Sequence, residues 1–306
     1  MKSQKPISPA LGTRFILLAG CSWGSIGIFI RTFNKLELGS MEIVALRAVF
    51  TAVFMALFLL VYDRKLLVIR LKDIWCFAGT GIVSMAFFNI CYFRLITVSS
   101  LSVAAVMLYT APVFVMALSA VLFREKITKM KIAAVILTVV GCAFVTGIVG
   151  SPVHLTVSAI LLGLGAGLGY ALYSIFGRYA IMKGYHNFTI VLYTFIFTSI
   201  AVIPLSDMGK LAGVVTQSFG MAAFSALCGI VTTVFPYIVY NFGLTAVENG
   251  KAAIIASVEP VVATLIGVFI FREAMTAGNL AGILMVLTAI VLTNLKRETG
   301  SRENAR

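Results

Sequence analysis

Charge is scarce in this sequence. Only 11% of its 306 residues are charged and 60% are apolar, where an average soluble protein carries ~25% charge. Mean hydropathy is +1.05 and is spread along the whole chain, so a water-facing surface cannot be built from it. That excludes a soluble enzyme, a nucleic-acid binder and a disordered tail. Histidine is nearly absent, with two residues, His154 and His186, both between apolar runs. No span therefore holds the His with Asp or Glu that a membrane-embedded catalytic pair or metal cluster needs, and neither an enzyme nor a metal site is expected. The five cysteines (Cys21, Cys76, Cys91, Cys142, Cys228) are odd in number and lack CxxC spacing. They read as small buried packing residues, not as a disulfide framework. A Walker-type phosphate loop is also missing, so no nucleotide cofactor is expected.

What the chain has is length in apolar runs. A spanning helix takes ~20 apolar residues, and ten runs of that size follow one another. They lie at 15–33, 41–61, 74–94, 102–123, 131–149, 157–180, 188–206, 219–241, 252–271 and 278–295. The uncharged stretch 132–177 is too long for one helix and should turn at Gly150-Ser151-Pro152, where glycine and proline interrupt it. The first run has no small-x-small cleavage site before a soluble domain and reads as a retained helix. The predicted fold class is all-α, a polytopic membrane protein with ten transmembrane helices.

The net charge of +13 is not gathered on one surface. Lys and Arg sit in short clusters between apolar runs, the pattern of topology signals and anionic-lipid contacts. With the N-terminus inside, 18 of the 24 basic residues fall on the inner side and 5 on the outer, counting those at span ends with the adjoining loop, while Arg47 alone lies well inside a span. This predicts a multi-pass protein of the plasma membrane with both termini cytoplasmic.

The two halves match each other. A shift of 148 aligns Tyr92 with Tyr240, Thr97 with Thr245, Ala104-Ala105 with Ala252-Ala253 and Pro112-Val113 with Pro260-Val261. It also aligns Phe123-Arg124-Glu125 with Phe271-Arg272-Glu273, and a shift of 147 places Trp23, Phe29 and Arg31 over Tyr170, Phe176 and Arg178. Each half holds five predicted helices. An odd number obliges the second half to enter the membrane from the opposite side, so the repeats should be inverted, as in many carriers. Pro112 and Pro260, mid-span in both halves, should break their helices and mark the substrate site.

These residues carry a family resemblance. Ser257-Val258-Glu259-Pro260 through Gly267, followed by Phe271-Arg272-Glu273, resembles the hallmark of the EamA family of drug/metabolite transporters. Trp23-Gly24, Arg47 and Pro112 with Phe123-Arg124-Glu125 are similar to other family positions. The likeness covers both repeats, 14–147 and 157–294, and departs at Arg-Glu, where family members often carry Gly-Glu. It implies a ten-helix inner-membrane carrier of small metabolites, with many members exporting amino acids or related compounds.

Candidate site residues follow from cost and spacing. Glu259 is a mid-span carboxylate, which costs ~2.5–3.5 kcal/mol on insertion scales and so should face a cavity or a partner. It is a candidate proton carrier, or else it bonds backbone freed by Pro260. Arg47 is a candidate for a substrate carboxylate, although it lies close enough to its helix start to snorkel outward. Tyr170, Tyr173, Ser174 and Gly177 share one helical face, and Thr233, Tyr237, Tyr240 and Asn241 another, by the 3.6-residue period. With Trp23, Asn89 and Tyr109 these outline an aromatic, moderately polar cavity. Tyr92 and Tyr240, near span ends, read as headgroup anchors. Gly163, Gly165, Gly167 and Gly169 suit close helix contact, and Glu42, Arg124-Glu125 and Arg272-Glu273 read as interfacial, the last two as caps or gates. The fifth and tenth spans carry few polar side chains and should be peripheral, a candidate homodimer contact.

The leading expectation is a secondary transporter that moves a small metabolite by alternating access. A passive channel or facilitator is the alternative, and a membrane-embedded enzyme a more distant one.

Overall fold

A computed structural model describes residues 7–149 and 156–294. The predicted turn at Gly150-Ser151-Pro152, His154 and the basic residues at both extremities (Lys2, Lys5, Lys296, Arg297, Arg302, Arg306) lie outside them. Every element among the described residues is helical. The first half contains α1 (Pro9–Gly24), α2 (Ile26–Lys35), α3 (Ser40–Tyr62), α4 (Ile74–Ala78), α5 (Phe87–Val98), α6 (Leu101–Leu108), α7 (Ala111–Phe123) and α8 (Lys129–Val145). The second contains α9 (Val157–Met182), α10 (Asn187–Val202), α11 (Met208–Thr216), α12 (Phe219–Gly229), α13 (Phe235–Leu244), α14 (Asn249–Ala256), α15 (Glu259–Phe271) and α16 (Ala277–Asn294). Side-chain caps at Ser8, Thr128, Thr156, Asp207 and Ser218 start five of them, supplying an acceptor for an otherwise unpaired N–H.

Nine helices or helix series among the described residues are long and apolar enough to cross a membrane. The run predicted at 131–149 is the exception. Its helix α8 has 17 residues and stops at Val145, because Gly147 turns into the left-handed region at φ +71°, the usual glycine stop of a helix. The first span also differs from one straight helix, since α1 and α2 meet at Ser25.

Element boundaries recur at the shift of 148. α5 begins at Phe87 and α13 at Phe235, α6 at Leu101 and α14 at Asn249, α7 at Ala111 and α15 at Glu259, and α8 at Lys129 and α16 at Ala277. A π-type turn precedes both α5 and α13, over Gly79–Ala86 and Ile230–Val234, each adding a residue to the helical winding. α7 and α15 are both capped by a left-handed arginine, Arg124 and Arg272, each at φ 56°. This conformation favours glycine, so each arginine holds a strained position at its helix end.

Small residues set how closely helices approach. The glycines of α9 lie against α5 and α6, where a Cβ at Gly163 would meet Met107 and one at Gly169 the backbone of Phe88. α8 and α16 pack on each other through Gly141 and Gly282, where a Cβ on Gly282 would strike the Gly141 carbonyl and the Val145 amide. Backbone cannot yield as a flexible side chain can. Gly282→Ala is therefore expected to destabilise the protein by about 1–3 kcal/mol, read as a lowered unfolding midpoint in detergent. Gly27→Ala, whose Cβ would meet nothing within 4 Å, is expected to leave the midpoint unchanged.

Four of the five cysteines are buried, but Cys21 is exposed. It sits on the outward face of α1, a face that apolar composition alone could not tell from the inward one. Asp73, 1% exposed, forms a 2.8 Å ion pair with Lys183 and accepts from the Tyr185 hydroxyl at 2.8 Å, tying the start of α4 to the end of α9. The hydrogen bond to Asp73 raises the Lys183 pKa above its ordinary value. His186 starts α10, with Nδ1 accepting from the Phe188 N–H at 3.2 Å; burial lowers its pKa.

Candidate functional site

The fourth and ninth predicted spans are each interrupted in the middle. α6 gives way to α7 across Tyr109-Thr110, and α14 to α15 across Ser257-Val258, with Pro112 and Pro260 in the first turn of the new helix. Proline has no N–H to leave unpaired there and its φ suits a helix start. The break in the second half makes Glu259 the first residue of α15, at a helix N-terminus, where a negative charge is favoured.

Glu259 faces a cavity of about 160 Å³ between the two halves. Its wall includes Trp23, Arg47, Asn89, Tyr170 and Tyr237, and at its rim Ile30 and Ser40 beside the α2–α3 turn. Ser40 is exposed. Arg47, on α3, turns inward and does not snorkel. Its Nε donates to Thr233 Oγ1 at 3.0 Å and its Nη2 to the Thr232 carbonyl at 3.0 Å. Both acceptors lie in the π-type turn before α13, whose irregular winding frees a carbonyl for this use. Among the described residues nothing occupies Nη1. Glu259 accepts from the Tyr170 hydroxyl at 3.4 Å. No ion pair joins Arg47 to Glu259 among the described residues, although both line one cavity.

Trp23 packs edge-on against Tyr237 with ring centres 5.2 Å apart. Its indole Nε1 is buried without a hydrogen-bond partner among the described residues. Asn89 donates to the Met85 carbonyl at 2.7 Å, which leaves its side-chain oxygen to the cavity. The wall thus offers one cation, one carboxyl group, an amide oxygen and aromatic faces, with apolar residues between them.

Several predicted lining residues stand elsewhere. Tyr173 and Thr233 lie behind the wall: Tyr173 accepts from Asn241 Nδ2 at 2.7 Å and packs on Tyr237, while Thr233 positions Arg47. Tyr109 caps the end of α6 and packs into the core. The two polar-aromatic faces on α9 and α13 meet each other instead of both facing the cavity. Ser174 shares a 2.8 Å hydrogen bond with Tyr240, so Tyr240 is buried and no headgroup anchor, and Tyr92 joins the cavity wall. Their hydroxyls find protein partners or a cavity, which helix periodicity cannot reveal. Phe88, Phe93, Phe195 and Thr198 are wall residues with no signal in the sequence, since phenylalanine is common on lipid-facing and buried surfaces alike.

A bundle of helices long enough to cross a bilayer, two of them broken near an internal cavity of apolar walls with one cation and one carboxyl group, has the architecture of a membrane transporter. The chain belongs to the EamA-like transporter family, whose model matches residues 10–147 and 157–295. It is similar to an uncharacterized transporter of Archaeoglobus fulgidus, 27% identical, over 71% of this chain and 79% of the relative. It is also similar to the uncharacterized transporter YxxF of Bacillus subtilis, 25% identical over 90% of this chain and 87% of the relative. A third relative is the uncharacterized inner membrane transporter YicL of Salmonella typhimurium, 21% identical over 95% and 96%. A crystal structure 13% identical in sequence shares the fold with a TM-score of 0.74, covering 92% of this chain and 96% of that one.

Proposed function

We propose that this protein is a secondary carrier that moves a small zwitterionic metabolite, an amino acid or related compound, across the plasma membrane by alternating access. In this reading α8 crosses the membrane as well, giving ten helices in two inverted repeats with both termini cytoplasmic, and transport runs outward. The recurrence of element boundaries at one shift supports the repeat. The inverted order follows from five crossings per half.

The observation that carries the substrate class is a separated pair of opposite charges. Arg47 comes from the first half and Glu259 from the second, and both face one cavity without touching. A carboxylate seated on Arg47 and an ammonium near Glu259 would bridge them, neutralising two charges that are costly at membrane depth. A cavity of about 160 Å³ suits a small solute, and the aromatic faces of Trp23 and Tyr237 suit its apolar part.

Counterflow in proteoliposomes tests the proposal. Vesicles preloaded with unlabelled neutral amino acids are expected to accumulate the labelled compound transiently, with a rate that saturates. A flux that never saturates identifies a channel and overturns the carrier reading. Saturable counterflow confined to compounds lacking either charge overturns the zwitterion assignment.

A further inference from the structure

The Arg-Glu pairs that end α7 and α15 are delivered by the same backbone. Glu125 N–H donates to the Ser119 carbonyl at 3.2 Å and Glu273 N–H to the Gly267 carbonyl at 3.0 Å, positions related by the shift of 148. Only the carboxylates differ. Glu125 accepts from the N–H groups of Asn249 at 2.7 Å and Gly250 at 3.2 Å, the first two residues of α14. It also lies 4.0 Å from Arg178 and 3.9 Å from Lys131, and its side chain is 9% exposed. α14 has no side-chain cap from its own N-cap residue, Glu248, so Glu125 supplies from another helix the acceptor that a helix N-terminus needs. Arg178 completes this clasp by donating to the carbonyls of Leu244, the last residue of α13, and of Val247 in the turn before α14.

Glu273, the repeat mate of Glu125, makes a different set of contacts. Its side chain is 50% exposed, and among the described residues it pairs only with Arg31, the mate of Arg178, which is itself 48% exposed and lies 4.0 Å over the Phe271 ring. The residues corresponding to Asn249 and Gly250 are Leu101 and Ser102, which start α6. The cap there is α6's own Ser100, which serves Val103 at 3.2 Å and leaves the first two N–H groups without a side-chain partner among the described residues. α14 packs against α7, while the matching α6 and α15 are scarcely in contact. The cavity rim at Ile30 and Ser40 lies at the Arg31–Glu273 end.

We infer that these are two alternating clasps, and that this structure shows one closed and the other released. Closure of the first ties the α7–α8 corner to the start of α14 and seals one end of the cavity. In the opposite state Glu273 caps Leu101 and Ser102, Arg31 takes the carbonyls of Ile96 and Ser99, and Glu125 lets α14 go. The two states exchange roles because inverted repeats convert one into the other by swapping the conformations of the halves. The inference rests on the carrier reading above and assigns the gate residues to it.

Double electron–electron resonance on the full chain, in a background with its native cysteines replaced, tests the clasps. Spin labels at Ile127 and Thr245 span the closed end, and labels at the repeat mates Met275 and Thr97 span the released end. The parent is expected to show a short first distance and a long second one. Glu125→Gln is expected to raise the population with a long first and short second distance at least several-fold. Glu273→Gln and Arg31→Gln, on exposed side chains that folding does not need, are expected to deplete that population. The double variant Glu125→Gln/Glu273→Gln should return towards the parent distribution. A Glu125→Gln variant that leaves both distances at parent values, or one that shifts them in the same direction, overturns the clasps. The two readings fail separately: distances that exchange without counterflow refute the carrier and keep the clasps, and intact counterflow with unmoved distances does the reverse.

Discussion

Arg47→Met is expected to weaken binding of a zwitterionic substrate by roughly 30- to 1,000-fold, as removal of one partner from a desolvated, hydrogen-bonded charge pair costs about 2–4 kcal/mol. The loss should be specific to the carboxylate. An amino-acid methyl ester, which has no anion to offer, should bind the parent as weakly as the free amino acid binds Arg47→Met, and should be indifferent to the substitution. Arg47→Lys is expected to recover only part of the affinity. The lysine ammonium keeps the charge but cannot hold Thr233 Oγ1 and the Thr232 carbonyl while presenting a third nitrogen to the cavity, a geometry that belongs to the guanidinium fork. Equilibrium binding to purified protein in detergent reads both effects. Equal losses for the acid and the ester would assign Arg47 to the architecture of the π-type turn instead of to the ligand.

Glu259→Gln is expected to abolish flux driven by a pH gradient, by about 100-fold or more, while substrate exchange in the absence of a gradient persists in part. Glutamine keeps the size of the side chain and can still accept from the Tyr170 hydroxyl, so the helix start at α15 survives. What it cannot do is take up and release a proton. Parallel measurement of gradient-driven uptake and of exchange, across a range of pH, separates the two. If parent and variant share one pH profile, the proton does not ride on Glu259. Tyr170→Phe, which removes the hydroxyl but not the ring, should change the exchange rate far less than Glu259→Gln changes coupled flux.

The charged residues at the site were legible in the sequence because membrane depth makes them conspicuous. A single arginine and a single carboxylate amid apolar runs each carry an insertion cost that packing must offset, so Arg47 and Glu259 stand out without any structure. The prolines were legible for a similar reason: Pro112 and Pro260 fall where a helix cannot continue unbroken. The tyrosines were not. Tyr173 and Tyr240 share the chemistry and spacing of Tyr170 and Tyr237, but they pair with Asn241 and Ser174 behind the wall. Which tyrosine reaches the cavity depends on a few ångströms of helix rotation that no residue period records.

The recurrence at 148 was visible in the sequence, and with it the equivalence of Glu125 and Glu273. The difference between them was not, because equivalent sequences predict equivalent contacts. Only the packed molecule shows one carboxylate on the start of α14 and the other beside Arg31.

Residence in the membrane, the mid-span breaks at the two prolines and the repeat were thus legible in composition and register, since in lipid a spanning segment must satisfy nearly all of its backbone polar groups internally. The tertiary structure decided which faces of those helices meet. Lipid is as apolar as the core, so hydrophobicity gives no inward direction to a transmembrane helix, and close packing at glycines together with a few hydrogen bonds sets it instead. For that reason the separation of Arg47 from Glu259 across one cavity, and the closure of one Arg–Glu clasp with the other released, exist only in the folded bundle.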